Sequence, residues 1–211
     1  MNGTLFNLIN RAFDRIVLGV LLGAAFPVFC FLATGTIWFY IDRNEAVVLY
    51  YVATGLLIGL LIDLRYLKGW IIRRFELPVW FMVALYLFYN IAMYGMFMGF
   101  PVFNLFWGII AGYYYGFRIN LLNLSQTQQY KITNRVAVFT AFIMTVICIS
   151  SACIALAGNG VGKDLQMMFR LSFEVTKQMI IAISLIGGII LIGLQYFITK
   201  ITMQRIIKSD S

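Results

Sequence analysis

Val136–Ala157, VAVFTAFIMTVICISSACIALA, holds no ionised side chain. A hydrocarbon core about 30 Å thick takes about 20 consecutive apolar residues to cross as a helix, and this run meets that length. Five more runs of the same kind lie along the chain, at Ile16–Ile41, Ala46–Ile62, Val79–Gly99, Val102–Phe117 and Gln178–Thr199. The second and fourth are short and fit an upright crossing. The expected fold is all-α: one polytopic membrane domain over residues 1–211, with six transmembrane helices and amphipathic surface helices at the N-terminus and between spans.

Composition agrees. The 211 residues are 62% hydrophobic and 11% charged, with a mean hydropathy of +0.90. A water-soluble domain carries about 25% charged residues, so a soluble globule is excluded. The Lys and Arg residues give the orientation. With the N-terminus in the cytoplasm, twelve of the 16 fall on inner segments, and only Arg43, Lys163, Arg170 and Lys177 lie outside. Acidic residues divide evenly, so the net charge of +8 sits on the inner face. The positive-inside rule then predicts both termini in the cytoplasm, in the plasma (inner) membrane. Basic residues scattered over every inner loop fit anionic headgroups and form no nucleic-acid recognition element.

The first apolar run is longer than a signal-peptide core and is expected to stay as a span. Before it, Asn7, Arg11 and Asp14 share one helical stripe and Phe6, Ile9, Phe13 and Ile16 another, which predicts an amphipathic elbow over residues 1–15. Between spans two and three, Leu64, Leu67, Ile71 and Phe75 form an apolar face beside Arg65, Lys68, Arg73, Arg74 and Glu76. This reads as a second inner surface helix whose basic residues meet lipid headgroups or a partner. The polar stretch from Arg118 to Arg135 reads as a mobile inner loop. Outside, Lys163, Gln166, Arg170, Glu174 and Lys177 recur at helical spacing. They either lie on the outer leaflet or extend span six outward as one long helix.

Small residues at spacing four, Gly19 and Gly23, Gly55 and Gly59, Gly108 with Gly112 and Gly116, Ser184 and Gly188, predict close helix packing within the chain in preference to a homodimer seam. Pro27 deprives the Gly23 carbonyl of its helical donor and predicts a kink in span one. Cys30, Cys148 and Cys153 fall in spans, and no disulfide is expected.

Polar groups at membrane depth carry the functional reading. Asn90 lies near the middle of span three, with Tyr86 and Tyr94 a turn to either side. Asn104 and Tyr115 share a face of span four, next to Trp107. An unpaired amide in hydrocarbon costs of order 4–8 kcal/mol, so both asparagines are expected to point into the bundle. There they bond each other or neighbouring tyrosines, or line a solute cavity open to the outside. Gln195 reads as interfacial. No Asp, Glu, Lys or Arg falls in the core of these spans, which disfavours a proton-driven antiporter. The absence of His excludes bis-histidine haem, His-ligated zinc and a Ser-His-Asp relay within the chain. GNGVGKD at 158–164 fails the phosphate-loop pattern at Ala157 and Asp164. No enzyme activity, cofactor or metal is expected.

Six spans, cytoplasmic ends, an N-terminal elbow and an inner helix after span two resemble the architecture of a small type-2 ABC exporter permease. The length, the glycine-rich spans and the lack of buried charge are similar to the substrate-binding component of an energy-coupling-factor importer. Neither family's local motif is matched at specific residues, so no site is carried over. The resemblance implies a transport component energised by a cytoplasmic ATPase. The alternatives are an assembly or scaffold subunit bound to other membrane subunits, and a homo-oligomeric channel.

Overall fold

The computed structural model describes residues 2–73, 75–97, 99–122, 124–158, 161–162, 166–167, 170 and 172–209, with side chains from Gly19 to Lys208. Among them the chain is helical and contains no strand. It divides into two compact units, residues 1–85 and 86–211.

In the first unit, α1 (Asn2–Ile37) and α2 (Val48–Ile72) form an antiparallel pair. A π turn, Trp38–Asp42, ends α1. Arg43 adopts a left-handed conformation (φ 52°) and its amide donates to Trp38 O at 2.9 Å. Asn44 then starts a 3-10 turn by accepting from Ala46 N at 3.0 Å, while Trp38 Nε1 donates to Asn44 O at 2.8 Å. The helices meet along their glycines. A Cβ on Gly55 would stand 2.6 Å from Cys30 O, and one on Gly59 would strike the backbone of Phe26 and Pro27. On α1, the space above Gly23 is filled by Leu67 and that above Gly19 by Ile71. These small-residue pairs are therefore spent inside the unit, where close backbone approach supplies the dispersion contacts that lipid cannot outcompete.

Two sequence expectations change here. The N-terminal segment joins the first span in one unbroken helix, with no break at the expected elbow. The surface helix expected after Ile62 is the continuation of α2, because nothing between Ile62 and Ile72 breaks a helix and Pro78 comes later. Leu67 and Ile71 consequently pack on α1. Asp63 is carried into the span, buried at 5% exposure.

The second unit contains the C-terminal part of α3 (Val79–Met96), α4 (Leu105–Leu121), α5 (Gln126–Ala157) and α6 (Lys177–Ser209). Its core is built where α4, α5 and α6 meet, around Tyr114, Ile119, Ala137, Met144 and Met203. The α4 glycines face α6: a Cβ on Gly112 would stand 2.7 Å from Thr199 O, and one on Gly116 2.9 Å from Ile206 Cβ. The expected mobile loop from Arg118 to Arg135 is almost entirely helix. α4 runs to Leu121, and α5 starts at Gln126 behind a capping box in which Gln128 Oε1 accepts from Ser125 N at 3.2 Å. The outward extension of the last span is overturned too. α6 begins at Lys177, capped by Thr176 Oγ1 accepting from Met179 N at 3.3 Å. Arg170 has a left-handed φ of 50°, and Glu174–Thr176 are irregular. Lys163 and Asp164 lie outside the described residues.

In both units large apolar side chains are exposed, among them Leu64, Ile91, Phe142 and Ile189, while Asp63, Asn90, Asn104, Thr140, Gln195 and Thr199 are buried. This inverts the pattern of a water-soluble protein. Among the described residues, five helical segments are long and apolar enough to cross a membrane: Gly19–Asp42, Glu45–Ile72, Val79–Met96, Gln126–Ala157 and Lys177–Lys208. The chain is a multi-pass membrane protein. At 17 residues α4 is shorter than these, with Trp107, Gly108, Ala111, Gly112, Tyr114, Gly116 and Ile119 all buried.

Candidate functional site

Apart from Thr133, the buried polar side chains of the second unit gather near the hairpin between α3 and α4. Past the end of α3, Gly99 takes a φ of +81° and its amide donates to Tyr94 O at 2.9 Å. A residue with a side chain is strained in that conformation. Pro101 opens a 3-10 turn that ends at Asn104, and the ring of Phe97 stacks on Phe103 with centroids 3.8 Å apart. This turn brings Asn104 back against Asn90. Asn104 Nδ2 donates to Asn90 O at 2.8 Å and to Asn90 Oδ1 at 3.0 Å. Asn90 Nδ2 donates to Tyr86 O at 2.9 Å.

α6 supplies the opposite wall. Gln195, 1% exposed, donates through Nε2 to the Tyr86 hydroxyl at 3.2 Å. One turn on, Thr199 shares a 3.0 Å hydrogen bond with Thr140 of α5. Gly108 of α4 makes this approach possible: a Cβ there would stand 2.8 Å from Gln195 Nε2 and 2.9 Å from Thr199 Oγ1. Asn104 lies one turn before Gly108 on the same face of α4. Trp107 stacks on Tyr89 with centroids 4.6 Å apart, and Tyr86 packs on Phe139.

Three atoms of this cluster, Asn104 Oδ1, Trp107 Nε1 and Gln195 Oε1, are buried with no hydrogen-bond partner. Each such atom costs about 1–3 kcal/mol when it is left unmade. They are two acceptors and one donor, and none belongs to an ionised group. That chemistry suits a small uncharged molecule carrying hydroxyl or amide groups.

Of the residues singled out from sequence, Tyr86, Asn90, Asn104 and Trp107 belong to this cluster. Tyr94 lies toward the α3–α4 turn, where a Cβ on Gly99 would stand 3.3 Å from its hydroxyl and where Ser151 Oγ donates to Gly99 O at 2.8 Å. Tyr115 is eleven residues beyond Asn104, about 16 Å along the helix, and is half-buried with its ring edge-on to Tyr114. The sequence reading passed over Thr140 and Thr199, named Gly108 only as a close-packing position, and placed Gln195 at the interface. Gln195, Thr199 and Met203 form a stripe at spacing four on α6, all buried. That periodicity was the available signal.

Among the basic residues, Arg65, Lys68 and Arg73 are exposed. Arg65 and Arg73 line a cavity of about 670 Å³ with Tyr66, Trp70, Glu76 and Pro78, and Arg74 lies outside the described residues. A second cavity, of about 760 Å³, opens between the C-terminal ends of α4 and α6 and the start of α5, lined by Asn120, Gln126, Gln129, Tyr130, Gln204 and Lys208 among others. No protein-family model, curated protein or solved structure matches this chain.

Proposed function

We propose that the chain is the membrane subunit of a transport system, that it holds a small uncharged hydrogen-bonding solute at the Asn90–Asn104–Gln195 cluster, and that a cytoplasmic ATPase partner energises it. The observation that carries the reading is the set of three buried, unpartnered polar atoms, Asn104 Oδ1, Trp107 Nε1 and Gln195 Oε1, inside a bundle of apolar helices. Polar groups at membrane depth are costly and mark solute paths when protein does not satisfy them. Under this reading α4 is a sixth crossing, both termini are cytoplasmic in the plasma membrane, and Arg65, Lys68, Arg73 and Arg74 meet the partner or anionic headgroups.

The scaffold reading has its own support in the direct Asn104–Asn90 bonds, since interhelical amide pairs also serve as structural glue. Equilibrium dialysis of labelled polyols, amides and nucleosides against the purified protein separates the two. Binding of one solute class that is lost in folded Asn104→Leu and Gln195→Leu variants, together with copurification of an ATPase, fits the transport subunit. No binding across the panel, with other membrane subunits copurifying, fits the scaffold.

A further inference from the structure

The first unit carries a buried carboxyl that the solute reading does not use. Along α2, Gly55, Gly59, Asp63 and Leu67 follow one another at spacing four and form the stripe that packs on α1. Gly59 meets Phe26 and Pro27, Leu67 meets Gly23, and Asp63, 5% exposed, stands between them. Its Oδ1 has no hydrogen-bond partner. The facing stretch of α1 is where Pro27 interrupts the helical ladder. With no N–H on its ring nitrogen, Pro27 leaves the carbonyl of Gly23 without its usual donor. The ring nitrogen itself faces α2, 2.6 Å from where a Gly59 Cβ would stand. Helix geometry aims the Gly23 carbonyl at that nitrogen, on the α2-facing side of α1, opposite the stretch of α2 between Gly59 and Leu67 that holds Asp63.

An ionised carboxylate beside a bare carbonyl places two acceptors together and no donor, on a packed face where Asp63 is only 5% exposed and an unpaired charge is poorly solvated. A carboxylic acid in the same place supplies the missing donor. Among the described side chains, the other groups near this face do not provide a counter-charge. On α1 the only titratable side chain between Gly23 and Ile37 is Cys30. Arg15 and Asp14 start eight and nine residues before Gly23, about 12 and 14 Å back along the axis. On α2, Arg65 and Lys68 are two and five positions from Asp63, off the stripe, and both are exposed. Tyr66 stacks on Trp70, and Glu45 lies beyond the other end of the helix.

We propose that Asp63 is a proton-binding site buried between α1 and α2, its protonated carboxyl donating to the Gly23 carbonyl that Pro27 leaves open. Loss of the proton turns that bond into a repulsion and loosens the Gly59–Pro27 and Leu67–Gly23 contacts, so proton binding is coupled to the pairing of α1 and α2. The site does not depend on the solute reading and stands or falls separately from it.

The full-length protein in lipid nanodiscs tests this with dicyclohexylcarbodiimide, an apolar reagent that attacks protonated carboxyls. The expected result is covalent labelling mapped to Asp63 alone, slowing as pH rises, and reduced to background in Asp63→Asn, whose amide still donates to Gly23. Pro27→Ala, which returns an amide donor to Gly23, should lower labelling about fivefold near neutral pH by weakening the bond. An infrared carbonyl band of a protonated carboxyl, present in the native protein and shifted when Asp63 is labelled, gives a readout that needs no variant to fold. Absence of labelling and of the band overturns the proposal. So does modification of Asp63 by a water-soluble carbodiimide and amine, which marks a hydrated carboxylate, and so does protection by sodium alone, which marks a metal-cation site.

Discussion

An asparagine in the middle of an apolar helix brings two donors and two lone pairs into a medium that offers partners for none. Asn104 answers this by donating twice to Asn90, leaving its own Oδ1 open. The energy of such a pair in a membrane is modest, about 0.6–2 kcal/mol, because the unpacked helices also find partners. Unfolding in mixed micelles of Asn90→Ala, Asn104→Ala and the double variant should therefore return a coupling energy in that range, with each single variant less stable by about 1–3 kcal/mol. A coupling of zero would show that the two amides act independently. Both residues were legible in the sequence, since amides stand out in apolar runs. Gln195 was placed too near the surface because its depth depends on where α6 starts and ends.

The helices are joined through positions that lack side chains. Gly59 and Gly112 touch backbone of the facing helix, whereas Gly187 and Gly193 have nothing within 4 Å of a built Cβ. Gly59→Ala and Gly112→Ala should each lower the unfolding midpoint, because overpacking of this kind costs about 1–3 kcal/mol and backbone cannot move aside as a flexible side chain can. Gly187→Ala should be neutral or slightly stabilising, since alanine favours a helix by up to about 1 kcal/mol over glycine. At the helix ends, Ser125→Ala and Thr176→Val each remove a cap, at about 0.5–2 kcal/mol. Faster amide exchange confined to the first turns of α5 and α6 would identify the cause. The Ser125–Gln128 cap was readable at the sequence level. The polar content of Arg118–Arg135 obscured it, because composition was read as loop when the chain there forms helix that extends past the apolar run.

In each unit many large apolar side chains face out while polar ones such as Asp63, Asn90, Asn104 and Gln195 are buried, which is the distribution expected when lipid is the solvent. Whether α4 crosses the bilayer decides the side on which the C-terminus lies. Single cysteines introduced at Asn2 and Ser209, in a background with Cys30, Cys148 and Cys153 replaced, should react with a membrane-impermeant maleimide only from the cytoplasmic side of inverted vesicles. Labelling from opposite sides would mean that α4 does not cross. The hydrophobic runs and the glycine spacing, visible in the sequence, determined that this chain forms apolar helices packed through small residues, because the length of an apolar run and its periodicity are local properties. The tertiary structure alone decided which polar groups meet. Asn104 reaches Asn90 through a turn at Gly99, Gln195 comes to Tyr86 across the gap at Gly108, and Asp63 is drawn under α1 by the register of Gly59 and Leu67. Contacts between residues 14, 109 and about 40 positions apart depend on how helices are set against one another, and no local pattern encodes that register.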